Sequence, residues 1–234
     1  MHSLQNPLSF SMLQAFWLCP RLYHYRYLEC LPGIANDSLD SRAGSRLHEQ
    51  LHHDFLGIET PLSTDPEYEL LWQQYQAAIA PYQGWDSRSE WRCHLPFTSG
   101  EQSIWLTGQL DRLYFDKDTA VIMDWKTGSP GLTALPQLQM QFYAWLLWQN
   151  KSLLSATIQR IETQWHYLNR PNEVTTAHYG AQEIAALDDL FNPLIQTFLS
   201  TAHPEVPEPR SVDGELWCKM CEYNRHCPEG RNHA

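Results

Sequence analysis

GQLDRLYFDKDTAVIMDWKTG, residues 108–128, contains two apolar runs, 109–115 and 119–125, separated by Asp116-Lys117-Asp118. Leu, Tyr, Phe, Val and Ile in the runs and polar residues between them predict two strands joined by a tight turn. Asp124 and Lys126 are two apart on the second strand, so their side chains leave the same face. If the turn holds two or four residues, facing positions sum to 235, and Asp111 stands opposite Asp124 (111 + 124). Their Cβ atoms are then ~5 Å apart. A three-residue turn would put the two carboxylates on opposite faces.

Carboxylates that close are tolerated chiefly when a cation lies between them. All-oxygen ligands and a site open on one side suit Mg²⁺ or Mn²⁺, which keep several waters and accept phosphate oxygens. A lysine beside such an ion can hold or polarise an attacking water, the equipment for phosphodiester hydrolysis. The alternative is that Asp111–Arg112 and Asp124–Lys126 are solvated ion pairs on a hairpin.

The wider pattern favours the metal site. G-x-x-D-R, a hydrophobic strand ending D-W-K-T-G, and then Q-x-x-x-Y (Gln139 to Tyr143) resemble the RecB-like branch of the PD-(D/E)XK nuclease superfamily. Upstream, RAGSRLHEQL resembles that branch's G-x-x-x-H motif, with Gly44 and His48 in place. The resemblance implies that Asp111, Asp124 and the backbone carbonyl of Trp125 hold the metal and that His48 adds a ligand. It also implies that Lys126 is the superfamily's lysine and that Gln139 and Tyr143 contact DNA near the scissile phosphate. Arg42 and Arg46, one helical turn apart, share a face suited to phosphates. Glu90 is read as an exposed strand carboxylate, with a place beside the metal as the alternative.

The ends of the chain carry a second pattern. Cys218, Cys221 and Cys227 give C-x₂-C-x₅-C, followed at once by Pro228. Three thiols so close suggest a metal centre that needs a fourth ligand, from Cys19, Cys30, Cys93 or His226. A zinc ribbon normally has two C-x₂-C pairs, and this chain has one. AddB-type nuclease domains and CRISPR-associated RecB-type exonucleases place one cysteine ahead of the core and three behind it on a [4Fe–4S] cluster. By that resemblance Cys19-Pro20-Arg21 supplies the leading ligand, giving Cys19, Cys218, Cys221 and Cys227, with Zn²⁺ as the alternative occupant.

The remaining sequence fits one α/β domain over 1–234, with a core of about 39–200 and an iron–sulfur lobe from 9–30 and 211–230. The resemblance implies a restriction-endonuclease-like mixed sheet flanked by helices. Helices are expected over 9–28 (bent at Pro20), 39–56, 66–80, 136–150 and 181–200, and strands over 89–97, 103–109, 156–168 and 174–179. No apolar run approaches the ~18 residues of a membrane span, and the N-terminus has no export signal, so a cytoplasmic protein is expected. The resemblance implies a metal-dependent DNA nuclease acting on single strands or ends, with a non-catalytic DNA-binding scaffold or a zinc-stapled interaction module as the alternatives. There is no G-x-x-x-x-G-K-[ST] phosphate loop, so any partner helicase would be a separate polypeptide. A net charge of −11 disfavours tight non-specific DNA binding. The acidity is uneven, however: no Lys or Arg lies between Asp54 and Ser87 or between Pro171 and Pro209.

Overall fold

A computed structural model describes residues 7–33, 39–58, 66–126, 135–155, 157–168, 170, 173–201 and 215–231, without the side chains of 39–45, 66–68, 135–136 and 215–216. In chain order the elements begin with β1 (Leu8–Ser9), α1 (Phe10–Leu18), α2 (Pro20–Tyr23), α3 (Leu39–Phe55) and α4 (Pro66–Ile79). Then come β2 (Asp86–Ser99), β3 (Gln102–Asp116), β4 (Thr119–Lys126) and α5 (Leu135–Asn150). They end with β5 (Arg160–Tyr167), β6 (Val174–Tyr179), α6 (Ala181–Thr201), α7 (Glu215–Met220) and α8 (Pro228–Arg231). Two compact units result. One comprises Asp37–Leu95 and Thr107–Asp188, the other Met1–Asn36, Pro96–Leu106 and Asp189–Ala234. Among the described residues no helix is long and apolar enough to cross a membrane.

The sheet runs β1-β3-β4-β5-β6, with β2 paired to β3. β3 and β4 are antiparallel from Asp116↔Thr119 to Arg112↔Met123, so the turn holds Lys117 and Asp118 and facing positions sum to 235 as expected. β4 is parallel to β5, and β5 antiparallel to β6, which makes the sheet mixed. Residues 120–125 of β4 are all buried, the mark of a strand covered on both faces. On one face Val121, Met123 and Trp125 pack with Leu47 and Leu51 of α3 and Tyr75 of α4. Alternation sends Asp124 and Lys126 to the other face.

The expected strands 103–109 and 109–115 form one continuous strand, and the expected strand 156–168 begins only at Arg160. The first helix breaks at Cys19, whose backbone is extended (φ −162°) because the residue before a proline is pushed out of the helical region. Ser9 caps α1, its hydroxyl accepting from the Met12 N–H at 3.3 Å.

Gly108 sets how closely α5 approaches β3. A Cβ there would lie 3.0 Å from Leu146 Cδ1 and 3.2 Å from Tyr143 Cδ1. Gly108→Val should therefore destabilise the chain by about 1–3 kcal/mol through overpacking, read as a lower chemical-denaturation midpoint. An unchanged midpoint would mean that α5 moves freely.

Candidate active site

The site forms where the β3–β4 ladder ends. A two-residue turn makes 116/119, 114/121 and 112/123 the hydrogen-bonded pairs, so Trp125 N–H would next meet Leu110. Instead Trp125 N–H donates to Asp111 Oδ2 at 3.1 Å. The carboxylate thus takes over a backbone bond and is fixed beside β4. Asp111 is further held through its carbonyl, which accepts from Ser89 Oγ, itself 3.0 Å from His52 Nδ1 of α3.

His48 closes one side of the site. Its Nδ1 lies 3.4 Å from Asp111 Oδ2 and its Nε2 3.0 Å from the Trp125 carbonyl oxygen. Both neighbours are acceptors, so the ring is best satisfied as imidazolium. The hydrogen bond with Asp111 is the main force raising its pKa, opposed by burial. The His48 ring thus lies against two of the oxygens that the resemblance assigns to a metal.

Asp124 is 4% exposed, and its Oδ2 forms a 2.7 Å ion pair with Lys126 Nζ. Burial first, and then the negative charge of Asp111, push the Asp124 carboxyl up to about 6. Lys126 is held cationic against its own burial by Asp124 and Asp111. A buried carboxylate whose charge is opposed by burial and by a second carboxylate is what a hard divalent cation relieves, so these residues fit one.

Glu90 joins a different grouping. One ligand atom each from His48, Glu90 and Asp111 lies within 4.8 Å of the others, a group that does not include Asp124. Glu90 thus lies beside His48 and Asp111, which supports the alternative of a place beside a metal. Glu90 sits at φ 51°, a left-handed kink inside β2, and such a kink re-aims a side chain that strict alternation would send elsewhere. Its carboxylate also accepts from Gln109 Nε2. No period-two pattern reveals this position; its signal is the acidic residue that the resemblance leads one to expect ahead of the core sheet.

On α5, Gln139 Nε2 donates to Tyr143 Oη at 2.9 Å, which leaves the Tyr143 hydroxyl proton free to donate. Burial, then the nearby Asp124 charge, keep that phenol protonated well above its ordinary range. Arg46 is exposed on α3, and the side chain of Arg42 lies outside the described residues.

The other unit holds every cysteine except Cys93. None is in a disulfide. Burial raises the Cys218 and Cys221 thiols, and both also feel Cys19 and Cys227, so the four share one neighbourhood. Arg21 Nη1 reaches Cys227 Sγ at 3.7 Å and also pairs with Glu229. Cys93 is buried, bonded to the Gly108 carbonyl, and Cys30 is exposed.

No curated protein matches the chain by sequence. Among solved structures, a protein of Eubacterium rectale assigned as an exonuclease aligns with a TM-score of 0.58 at 12% identity, covering 94% of this chain and 87% of that one. The protein SSO0001 aligns with a TM-score of 0.46 at 13% identity, covering 98% and 90%. The first likeness concerns the fold. The sequence model described as the PD-(D/E)XK nuclease superfamily matches residues 7–228. With that match over nearly its whole length, the chain belongs to the PD-(D/E)XK nuclease superfamily.

Proposed function

We propose that the chain is a divalent-metal-dependent DNA nuclease of the RecB-like branch, acting on single strands or ends. The observation that carries this is the buried Asp124 carboxylate, ion-paired with Lys126 and in the field of the second carboxylate, Asp111. Asp111, Asp124, the Trp125 carbonyl and His48, joined by Glu90, would hold Mg²⁺ or Mn²⁺. When bound, the ion supplies charge stabilisation at the phosphate and lowers the pKa of a bound water. Lys126 orients the attacking water. The Tyr143 hydroxyl, set by Gln139, donates to a phosphate oxygen, and Arg46 with Arg42 meets the backbone. The exonuclease assignment of the Eubacterium rectale structure agrees with end-directed cleavage. Recombinational repair or CRISPR-related processing, alongside a separate helicase, is the setting that the resemblance implies.

End-labelled single- and double-stranded DNA, incubated with Mg²⁺ or Mn²⁺ and again after chelation, tests this directly. Cleavage that needs the ion is expected, and intact DNA under every condition would refute it.

We also propose that Cys19, Cys218, Cys221 and Cys227 form one iron–sulfur lobe holding a [4Fe–4S] cluster. Four unpaired thiols in one neighbourhood, with Arg21 on one sulfur, fit such a group. The cluster's part is structural, since phosphodiester hydrolysis transfers no electrons. Visible absorbance and metal analysis of anaerobically purified protein separate it from Zn²⁺.

The acid limb follows from Asp124. Its carboxyl is protonated below about pH 6 and is then lost as a metal ligand. Cleavage at limiting Mn²⁺ should fall about tenfold per pH unit below that point, and excess Mn²⁺ should move the limb to lower pH. A folded pKa above the ordinary 3.8 also fixes the sign for stability. This group's contribution is fully present below pH 3.8 and lost as pH rises through 6, unless a cation is bound. A pH series of melting temperatures with and without Mn²⁺ checks both.

A further inference from the structure

The metal-binding residues are not alone on their face of the sheet. In the parallel register Asp124 pairs with Trp165 and Lys126 with Tyr167, so both aromatic side chains lie beside the Asp–Lys pair. The two rings are parallel to within 8°, with centroids 6.0 Å apart. Lys126 Nζ sits 5.5 Å from the Trp165 ring centroid. Trp165 is 6% exposed and forms the floor of the stack. Tyr167 lies next to it, partly exposed, two residue pairs beyond Asp124 toward the C-terminal ends of the parallel strands. Its hydroxyl lies in the field of Lys126, Asp124, Glu173 and Arg170.

An aromatic step of this kind has little to do in metal binding. A ring stacked on a buried indole, with cations beside it, is the arrangement that holds an unpaired base while its phosphates face positive charge. Such a step also suits the open, C-terminal end of parallel strands, where α/β sheets place ligands.

We infer that Tyr167, backed by Trp165, is the stacking platform for the unpaired nucleobase next to the phosphate cut at Asp111, Asp124 and Lys126. The inference rests on the nuclease reading and adds a reason for single-strand preference: a base in a duplex already has both faces stacked and cannot lie on the ring. Tyr167 binds substrate and takes no part in proton transfer.

The test pairs protein and substrate variants. Single-stranded oligodeoxynucleotides carry one abasic residue, scanned through the positions around the cleaved bond. They are cut in Mn²⁺ by the wild-type chain, by Tyr167→Leu, which keeps apolar bulk over Trp165, and by Tyr167→Phe. Removing one stacked base should lower wild-type kcat/KM by about 5- to 150-fold at one position, mainly through KM. Tyr167→Leu should show the same loss on the intact strand and no further loss on that abasic strand, and Tyr167→Phe should restore cleavage. Additive losses, or a leucine variant indistinguishable from wild type on the intact strand, would overturn the platform. Equal losses on intact and abasic strands would mean that the ring only supports the fold, and would overturn it as well. Anisotropy binding of these strands to each variant reads stacking separately. A wild-type chain that binds with this pattern and cuts nothing would refute the nuclease reading and leave the platform standing.

Discussion

Replacing Asp124 by asparagine is expected to reduce metal-dependent cleavage by about 10³-fold or more while leaving the melting temperature of the metal-free chain equal or higher. The two halves of that expectation have one cause. Asp124 is 4% exposed, and its charge is opposed by burial and by Asp111, so at neutral pH without a cation the ionised carboxylate costs stability. Asparagine keeps the shape and removes the charge, which relieves the fold. It also removes an anionic metal ligand, and losing several kcal/mol of charge stabilisation is a loss of this order in rate. Lys126→Ala should lower cleavage comparably, but with the opposite effect on stability, because it strips the only cation within 4 Å of Asp124 among the described residues. Single-turnover cleavage in Mn²⁺, read beside thermal melts, separates loss of chemistry from loss of fold. Cleavage retained by both variants would remove the assigned site.

The β3–β4 register was readable because it depends on local facts. A two-residue turn and side-chain parity place Asp111, Asp124 and Lys126 on one side, and the ladder from Asp116↔Thr119 onward keeps that count. His48 is a different case. Its approach to Asp111 and the Trp125 carbonyl is a helix-to-strand contact across 63 and 77 positions (111 − 48 and 125 − 48), and nothing in α3 signals it apart from the resemblance. Arg112 shows the limit most clearly. Beside Asp111 it read equally well as half of a solvated ion pair, since charges on strands usually face water. It is instead 3% exposed, donating to the Leu51 carbonyl and to Tyr75 Oη and lying 4.5 Å from the Phe55 ring centroid. A carbonyl and aromatic faces assembled from two helices form its surroundings, and no strand pattern reports those. Glu90 was hidden for a backbone reason, a positive φ that breaks the alternation on which strand reading depends.

Cys19→Ser is expected to cost the protein its chromophore and to lower its melting temperature by about 10–20 °C, whereas Cys30→Ser should change neither. Cys19 stands at the break between α1 and α2, and the other three thiols lie around α7 and ahead of α8. A metal centre joining them closes a loop of nearly 200 residues (218 − 19). Cross-linking so long a loop removes about 4–5 kcal/mol of unfolded-state entropy, and each kcal/mol is worth about 2–4 °C in a chain of this size. The local packing cannot replace that link. The last segment contributes Tyr223, which donates to the Leu31 carbonyl at 3.1 Å and meets Tyr25 edge-on at 5.6 Å, but few other buried side chains among the described residues. Cys30 is exposed and stands outside the group of four, so its loss is a control for thiol chemistry in general. Visible absorbance, iron and sulfide analysis and thermal melts of both variants decide the matter. A Cys19→Ser protein that keeps colour and melting temperature would take Cys19 out of the centre. A colourless wild type containing one zinc would keep the link between the chain ends and replace the cluster.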